Sequence, residues 1–462
     1  MRSIDGALPA SVVILGLARQ GKALARFFAE RGARVTVSDR QDAAALQSTL
    51  TDLADLPIRY ELGAHPLSLL DGCELFCLSG GVPADLPIVQ EALRRGLPVS
   101  NDAQEFLRRC PAPVVGITGA AGKTTTTALV GKMLAAAGFT TWVGGNIGNP
   151  LINELPAMRP DHRVVIELSS FQLEVMRVGV AVAGVLNITP NHLDRHKTMA
   201  AYIAAKRNLV THQTAQDVAV LSYDEPNARA LAADTAAQVR YFSGQIEPES
   251  GAFLQGDELW LRGNAGEAPV CRRDEIRLRG FHNVLNVLAA CALADAAGAP
   301  VAALREAIGA FTGVEHRLEE VRRWGGALWI NDSIATAPER VMAELTAFDE
   351  PLILLTGGRD KDLEWDEFAR RVVARVRVLI TFGEAAPLIE GHVARAWEQG
   401  SGGAGVLEEI VAAGTLEEAV RAAAERVHPG DVVLLSPGGT SFDAFKDFAE
   451  RGERFRELVQ NL

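Results

Sequence analysis

Short runs of aliphatic and β-branched residues alternate along the chain with stretches whose apolar positions recur three and four apart, the pattern of strands and helices in a parallel α/β architecture. Residues 11–15 form an apolar run that ends at a glycine turn, residues 22–31 show helical spacing, and residues 34–38 return as a second apolar strand closed by Asp39. This succession predicts a βαβ unit. Short strands at 75–78 and 98–99 complete a small doubly wound sheet, placing a first domain over residues 1–105. A second α/β segment, 106–311, opens with a strand at 114–117, a glycine loop and a helix from 123 to 137. Strands at 164–168 and 182–188 follow, and an alanine-rich helix spans 281–297. The last segment, 312–462, repeats the alternation with strands at 327–330, 352–355, 378–382 and 432–435. The glycine-rich stretch 400–405 reads as a surface loop inside it. Apart from the recurring βα pattern, the sequence has no internal repeat.

Length agrees with this division, since 462 residues at about 150 per domain suggests roughly three domains. Hydrophobic residues at 48% and charged residues at 23% describe a globular chain, not a disordered or fibrous one. A net charge of −12 opposes nonspecific binding to nucleic acid or anionic membrane, so a phosphate ligand must meet local cations. The apolar stretch 8–18 runs into a strand-to-helix turn and is expected to be the first strand, not a targeting segment. No run approaches the roughly 20 apolar residues of a membrane span. Cys73, Cys77, Cys110, Cys271 and Cys291 form no CxxC pair and are expected to be buried thiols in a reducing, cytoplasmic setting.

The most specific local feature is Gly116-Ile-Thr-Gly-Ala-Ala-Gly-Lys-Thr-Thr-Thr126, directly after a predicted strand and at the start of a helix. Glycines let backbone N–H groups face a phosphate, the helix N-terminus adds its positive dipole end, and Lys123 can neutralise β- and γ-phosphate charge while the Thr124 hydroxyl ligates Mg²⁺. The predicted ATP cradle is Gly119, Ala120, Ala121, Gly122, Lys123, Thr124 and Thr125. An ordinary threonine-capped glycine turn explains the Gly-Lys-Thr triplet less well. The spacing departs from GxxxxGK[ST], because Ile117 stands five before Gly122. The Thr-Gly-x-x-Gly-Lys-Thr form resembles the loop of the Mur ligase and folylpolyglutamate synthetase superfamily, with Ala120 and Ala121 where Thr-Asn is common.

Distinctive segments in the same order extend the resemblance over nearly the whole chain. Glu167-Leu-Ser-Ser-Phe-Gln-Leu-Glu174 and Asn187-Ile-Thr-Pro-Asn-His-Leu-Asp-Arg-His196 are similar to two motifs of the family's central domain. The resemblance implies that Glu167 and Thr124 hold the ATP-bound Mg²⁺ and that His192 holds a second Mg²⁺. Taken alone, His192, Asp194 and His196 have a spacing that zinc would accept, although an oxygen-rich site beside a phosphate loop suits Mg²⁺ better. For His196 an exposed helix face is an equal alternative. Lys206 in Tyr202-Ile-Ala-Ala-Lys-Arg-Asn208 matches the lysine that the family carbamylates into an anionic metal ligand; read without the family, it is a solvated helix lysine. Gly280-Phe-His-Asn-Val-Leu-Asn286 is similar to the adenosine segment, which gives Asn283 and Asn286, both also ordinary as polar surface.

In the third segment, His316-Arg317 and Asn331-Asp-Ser-Ile-Ala-Thr336 resemble the family's Pro-His-Arg and Asn-Asp-Ser-Lys-Ala-Thr, with Glu315 for proline and Ile334 for lysine. The likeness implies Arg317 on the γ-phosphate and Asp332 on the ATP ribose. By the same resemblance Thr336 and Lys361 bind the α-carboxylate of an incoming glutamate, and Ser441 with the backbone at Phe448 its side-chain carboxylate. In the first segment the dinucleotide fingerprint is weak, because Ile14 occupies its first glycine position. Gly16, Asp39, Gly80, Gly81 and Asn146 are the expected contacts of a UDP-linked substrate. The implied architecture is an N-terminal Rossmann-like UDP-binding domain, a central P-loop ATPase-like domain with a mostly parallel sheet, and a C-terminal Rossmann-like domain. The implied enzyme is a monomeric cytoplasmic ligase in which Lys123, His192, Lys206 and Arg317 are catalytic. It would use ATP and two Mg²⁺ ions, one held through carbamylated Lys206, to join D-glutamate to UDP-N-acetylmuramoyl-L-alanine. L-glutamate is the alternative that Ile334, in place of the family's lysine, keeps open. Another superfamily ligase, a nicotinamide-dependent oxidoreductase and a nonenzymatic nucleotide switch are the rivals. The oxidoreductase has no need of the phosphate loop, and the switch has no use for Lys361 and Ser441.

Overall fold

The computed structural model describes residues 8–148, 150–361, 363–400 and 405–462. The predicted loop at 400–405 therefore lies largely outside the described residues. The α/β class is as expected, and three sheets carry it. In the first, all neighbours are parallel and the order is Ile58–Leu62, Arg34–Asp39, Ser11–Leu15, Leu75–Leu78, Val99–Ser100. Ser11–Leu15 is central because four of its five residues are buried, and only a strand covered on both faces is apolar at consecutive positions.

The second sheet has nine strands among the described residues, in the order Gly266–Arg272, Glu258–Gly263, Gly251–Gln255, Gln238–Ser243, Val218–Ser222, Val182–Val185, Val114–Thr118, Arg163–Glu167, Thr141–Gly145. Pairing is parallel from Thr141–Gly145 as far as Gly251–Gln255 and antiparallel beyond. The antiparallel strands escaped the sequence reading because they expose one face, so charged residues such as Glu258 and Arg262 interrupt their apolar positions. The third sheet runs Glu319–Trp324, Ala327–Asn331, Val432–Gly438, Leu352–Gly357, Val376–Phe382, Glu409–Ala412. Its pairing is parallel except at the edge strand Glu319–Trp324.

Two compact units emerge, one reaching Arg277 and including Phe281–Phe311, the other made of Leu278–Gly280 and Thr312–Leu462. The first unit holds the five- and nine-stranded sheets, and its core runs from Val12 and Phe28 to Val164 and Leu209. In the second unit Trp329, Trp365, Phe368 and Phe455 are fully buried on the two faces of the six-stranded sheet. No helix among the described residues is long and apolar enough to cross a membrane. The described cysteines are all free thiols, but only Cys73, Cys77 and Cys291 are buried; Cys110 and Cys271 are partly exposed, which corrects the expectation of five buried thiols.

Candidate active site

Strand Val114–Thr118 delivers the chain to the glycine loop, and helix Lys123–Ala136 starts at Gly122, whose φ of +81° places it in the left-handed region. A Cβ there would stand 2.2 Å from Asn286 Oδ1, so both conformation and space demand glycine. Asn286 is buried and donates to Asn283 Oδ1 at 3.0 Å. Asn286 thus sits against the loop, with half-buried Asn283 bonded beside it.

Around this loop the polar groups converge. Lys123 Nζ folds back onto the carbonyls of Gly119 (2.9 Å) and Ala120 (3.4 Å). The Thr124 hydroxyl donates to Glu167 Oε2 at 2.9 Å, and Asn146 Nδ2 donates to Glu167 Oε1 at 2.8 Å. Glu167 ends strand Arg163–Glu167 and is buried. A buried carboxylate touching a hydroxyl beside a phosphate loop is a donor set that suits a hard divalent cation. Thr125 is buried in the first turn behind them.

Lys206 is 1% exposed, so the solvated alternative is excluded. Its Nζ donates to Gly119 O (2.9 Å) and Thr118 Oγ1 (3.2 Å) and lies 4.8 Å from the centre of the Tyr202 ring. Burial, then the charge of Lys123, pushes its pKa well below the ordinary lysine value, with Glu167 opposing. Enclosure therefore favours the neutral amine.

His192 is exposed, has a left-handed φ of 53°, and packs its ring 5.2 Å from that of Phe171. His196 is buried, which removes the exposed-face alternative: its Nε2 meets Ser170 Oγ at 2.8 Å and its Nδ1 meets Glu174 Oε1 at 3.1 Å. It acts as a brace for the short helix Ser170–Glu174. The side chain of Asp194 lies outside what the structure describes.

That helix borders a cleft of about 210 Å³ lined by Ala18, Arg19, Gln20, Ser79, Gly80, Gly81, Asn146, Ser169 and Phe171. Gly80, Gly81 and Asn146 were singled out from the sequence; Arg19, Gln20, Ser169 and Phe171 were not. Gln20 Oε1 accepts from Gly80 N at 2.7 Å, and Arg19 donates to the carbonyls of Asn146 (3.0 Å) and Gly148 (2.5 Å). Arg195 donates to the carbonyls of Gly81 and Val82 while covering Phe171. Only the tertiary pairing reveals them, because an arginine on a helix carries no signal of its own. Gly16 turns the chain at φ +87°. Asp39 Oδ2 accepts from Leu17 N at 2.7 Å and its Oδ1 from Gln41 N at 2.9 Å, so the carboxylate holds the glycine turn.

In the second unit, Arg317 lies on a turn whose flanking residues His316 (φ 61°) and Leu318 (φ 44°) are left-handed without being glycine. Such strain persists only where neighbours over-determine it. Here Glu319 Oε2 accepts from His316 N at 2.8 Å, Asn331 Nδ2 meets His316 Nδ1 at 3.0 Å, and Asp332 Oδ1 accepts from Leu318 N at 3.3 Å. Asp332 is completely enclosed, with Oδ2 on the Ser436 hydroxyl at 2.9 Å. Burial, reinforced by Glu344, pushes its carboxyl up. It is therefore a support of the Arg317 turn and presents no surface to a ribose as placed. Thr336 is half-buried, Ser441 is 2% exposed, and Lys361 and Phe448 are exposed. The bridge Arg359 N to Thr440 O and Thr440 N to Arg359 O, 2.8 Å each, joins the loops that carry Lys361 and Ser441.

A mostly parallel sheet with an inner strand that feeds a glycine loop, and with Lys, Thr and a buried carboxylate at the mouth of that loop, defines a nucleoside-triphosphate-handling enzyme of the P-loop type. Residues 10–101 match the family described as Mur ligase MurD-like, N-terminal domain, residues 117–294 the Mur ligase middle domain, and residues 316–439 the Mur ligase, glutamate ligase domain. The chain belongs to the Mur ligase family. It is 43% identical over 452 residues, 97% of each chain, to the UDP-N-acetylmuramoylalanine-D-glutamate ligase of Symbiobacterium thermophilum. It is 41% identical to the protein of the same name from Geotalea uraniireducens, over 98% of this chain and 97% of that one. Among solved structures, UDP-N-acetylmuramate-alanine ligase from Thermotoga maritima matches with a TM-score of 0.57 at 20% identity, over 98% of this chain and 99% of the other. Escherichia coli FolC in complex with DHPP and ADP matches with 0.55 at 14% identity, over 78% and 92%. Both share the fold.

Proposed function

We propose that the protein is an ATP-dependent ligase that adds D-glutamate to UDP-N-acetylmuramoyl-L-alanine in the cytoplasmic stage of peptidoglycan precursor synthesis. The observation that carries the reading is Glu167, one carboxylate that holds Thr124 of the phosphate loop and Asn146 of the cleft. It brings the nucleotide end and the cleft to one point, as a reaction between ATP and a bound carboxylate requires. Relatives at 43% and 41% identity over nearly the whole chain bear the corresponding name.

In this reading residues 1–105 take the UDP end, 106–311 the ATP and 312–462 the amino acid. The substrate carboxylate attacks the γ-phosphorus, the bond to the ADP oxygen breaks, and an acyl phosphate forms. The D-glutamate amine then attacks the acyl carbon, loses a proton, and phosphate leaves. Lys123 shifts from the loop carbonyls to the transferring phosphate, and Arg317 stabilises its charge. Thr124 with Glu167, and His192 with Lys206, would hold Mg²⁺, which supplies charge neutralisation on the phosphate oxygens. Lys206 works as a carbamate: the neutral amine favoured by its burial adds to CO₂, an N–C bond forms, and one proton is released. Thr336, Lys361, Ser441 and the Phe448 backbone receive the two carboxylates of glutamate. Asn283 and Asn286 lie against the adenosine.

Phosphate release with UDP-N-acetylmuramoyl-L-alanine and ATP, comparing D-glutamate, L-glutamate, lysine and no amino acid, tests the reading. Release that requires D-glutamate is expected; equal rates with lysine, or indifference to the UDP substrate, would sink it.

A further inference from the structure

Beneath the loops assigned to glutamate lies a group that this assignment does not use. Arg451, on helix Phe448–Gln460, is 0% exposed. Its Nε donates to Ser333 Oγ (3.0 Å), Nη2 to Ser333 O (2.9 Å), and both Nη1 and Nη2 to Gly439 O (3.2 Å each). These partners are all neutral oxygens. Ser333 Oγ in turn donates to Phe448 O at 2.8 Å. Gly358 completes the enclosure, since a Cβ there would stand 2.8 Å from Arg451 Nη1.

Each of these contacts lies on a different segment of the proposed amino-acid site. Ser333 is three residues before Thr336, Gly439 two before Ser441, Gly358 three before Lys361, and Phe448 is itself assigned. We propose that Arg451 is a positioning residue for the amino-acid substrate, a buried guanidinium that holds these four segments in register and sets a fixed positive charge under the site of a dicarboxylic amino acid. The inference rests on the glutamate-ligase reading above.

Two physical points support it. Arginine alone offers five donors in a rigid plane, which suits one group bonded to two loops at once. A buried cation without a carboxylate partner is costly in an empty site, and an anionic ligand arriving nearby offsets that cost. The field reaches the site: Lys361 is lowered first by burial and next by the charge of Arg451. Asp443 and Asp332 also act on the guanidinium, yet burial still lowers Arg451 to about 10. Ile334 stands where the family resemblance expects a lysine, so Arg451 is a source of positive charge that this variant of the segment retains.

The test compares the parent enzyme with Arg451→Lys and Ser333→Ala, measuring KM for D-glutamate, ATP and the UDP substrate together with thermal melting. Ser333→Ala breaks the link between the guanidinium and Phe448 and removes one small polar atom, so it decides the matter if Arg451→Lys does not fold. The expected result is a D-glutamate KM raised about tenfold or more, with the other two KM values within about twofold of the parent. A D-glutamate KM unchanged in the folded variants, or three KM values rising in parallel with a loss of melting temperature, overturns the proposal. A parent enzyme that makes no use of D-glutamate overturns the reading beneath it and this proposal with it.

Discussion

Lys206 shows how far one side chain depends on its surroundings. A plain ammonium beside Lys123 and a bound cation would be repelled, and a carbamate reverses the sign of that contact. Lys206→Ala should lose most ligase activity, and acetate at high concentration should restore part of it by filling the vacated space as a carboxylate. Activity near that of the parent would refute the role. Asp102 offers a second test at this scale. It is fully buried, accepts from Gln172 Nε2 at 3.3 Å on each oxygen, and is raised from 3.8 to about 6 chiefly by burial. The folded state therefore holds this proton more tightly than the unfolded chain. The stability it contributes is complete below about pH 4 and is lost as pH rises through about 6, at a ceiling of roughly 3 kcal/mol. Asp102→Asn should gain thermal stability relative to the parent between about pH 4 and pH 7.5; a difference in melting temperature that does not change with pH would contradict this.

At the scale of elements, the phosphate loop combines a strand end, a left-handed glycine and a helix start, and each fails differently when altered. Gly122→Ala must leave the left-handed region or push Asn286 away, since its Cβ would meet Oδ1 at 2.2 Å. The backbone cradle would open, so the ATP KM should rise about tenfold or more while D-glutamate KM changes little. Steady-state kinetics with each substrate varied in turn would show it, and an unaltered ATP KM would contradict the cradle. The strained turn at His316 and Leu318 is a second such element. Its supports, Glu319, Asn331 and Asp332, come from the edge strand Glu319–Trp324, from its neighbour Ala327–Asn331 and from the residue just after that neighbour, so the antiparallel strand that the sequence pattern concealed is also what helps present Arg317.

For the whole molecule, the proposed division of ligands can be measured at two levels, between residues 1–105 and 106–311 inside the first unit and between the first unit and the second. Lys123→Ala should abolish phosphate release and leave binding of the UDP substrate largely intact, checked by equilibrium binding of the uridine nucleotide. Simultaneous loss of both in a folded protein would overturn the division of labour between residues 1–105 and 106–311. Lys361→Ala should raise the D-glutamate KM far more than the ATP KM; an ATP-specific defect would move Lys361 to the phosphate site.

The sequence by itself determined the α/β class, most of the buried parallel strands (Val218–Ser222 is one it missed) and the phosphate loop, because each is written in contiguous residues: an apolar run such as Ser11–Leu15, or Gly-Lys-Thr at a strand end. It also ordered the family's motifs along the chain. Tertiary structure alone decided that Glu167 joins Thr124 to Asn146, that Lys206 and His196 are enclosed, that Asp332 supports a turn, that Arg19 and Gln20 line the cleft, and that Arg195 ties down Gly81 and Val82. The physical reason is that strand periodicity and loop geometry are local, whereas burial and hydrogen bonding are set by residues far away in sequence. Lys206 meets Gly119 across 87 positions and Arg451 meets Ser333 across 118, distances over which a lysine or an arginine on a helix looks like any other until the chain is folded.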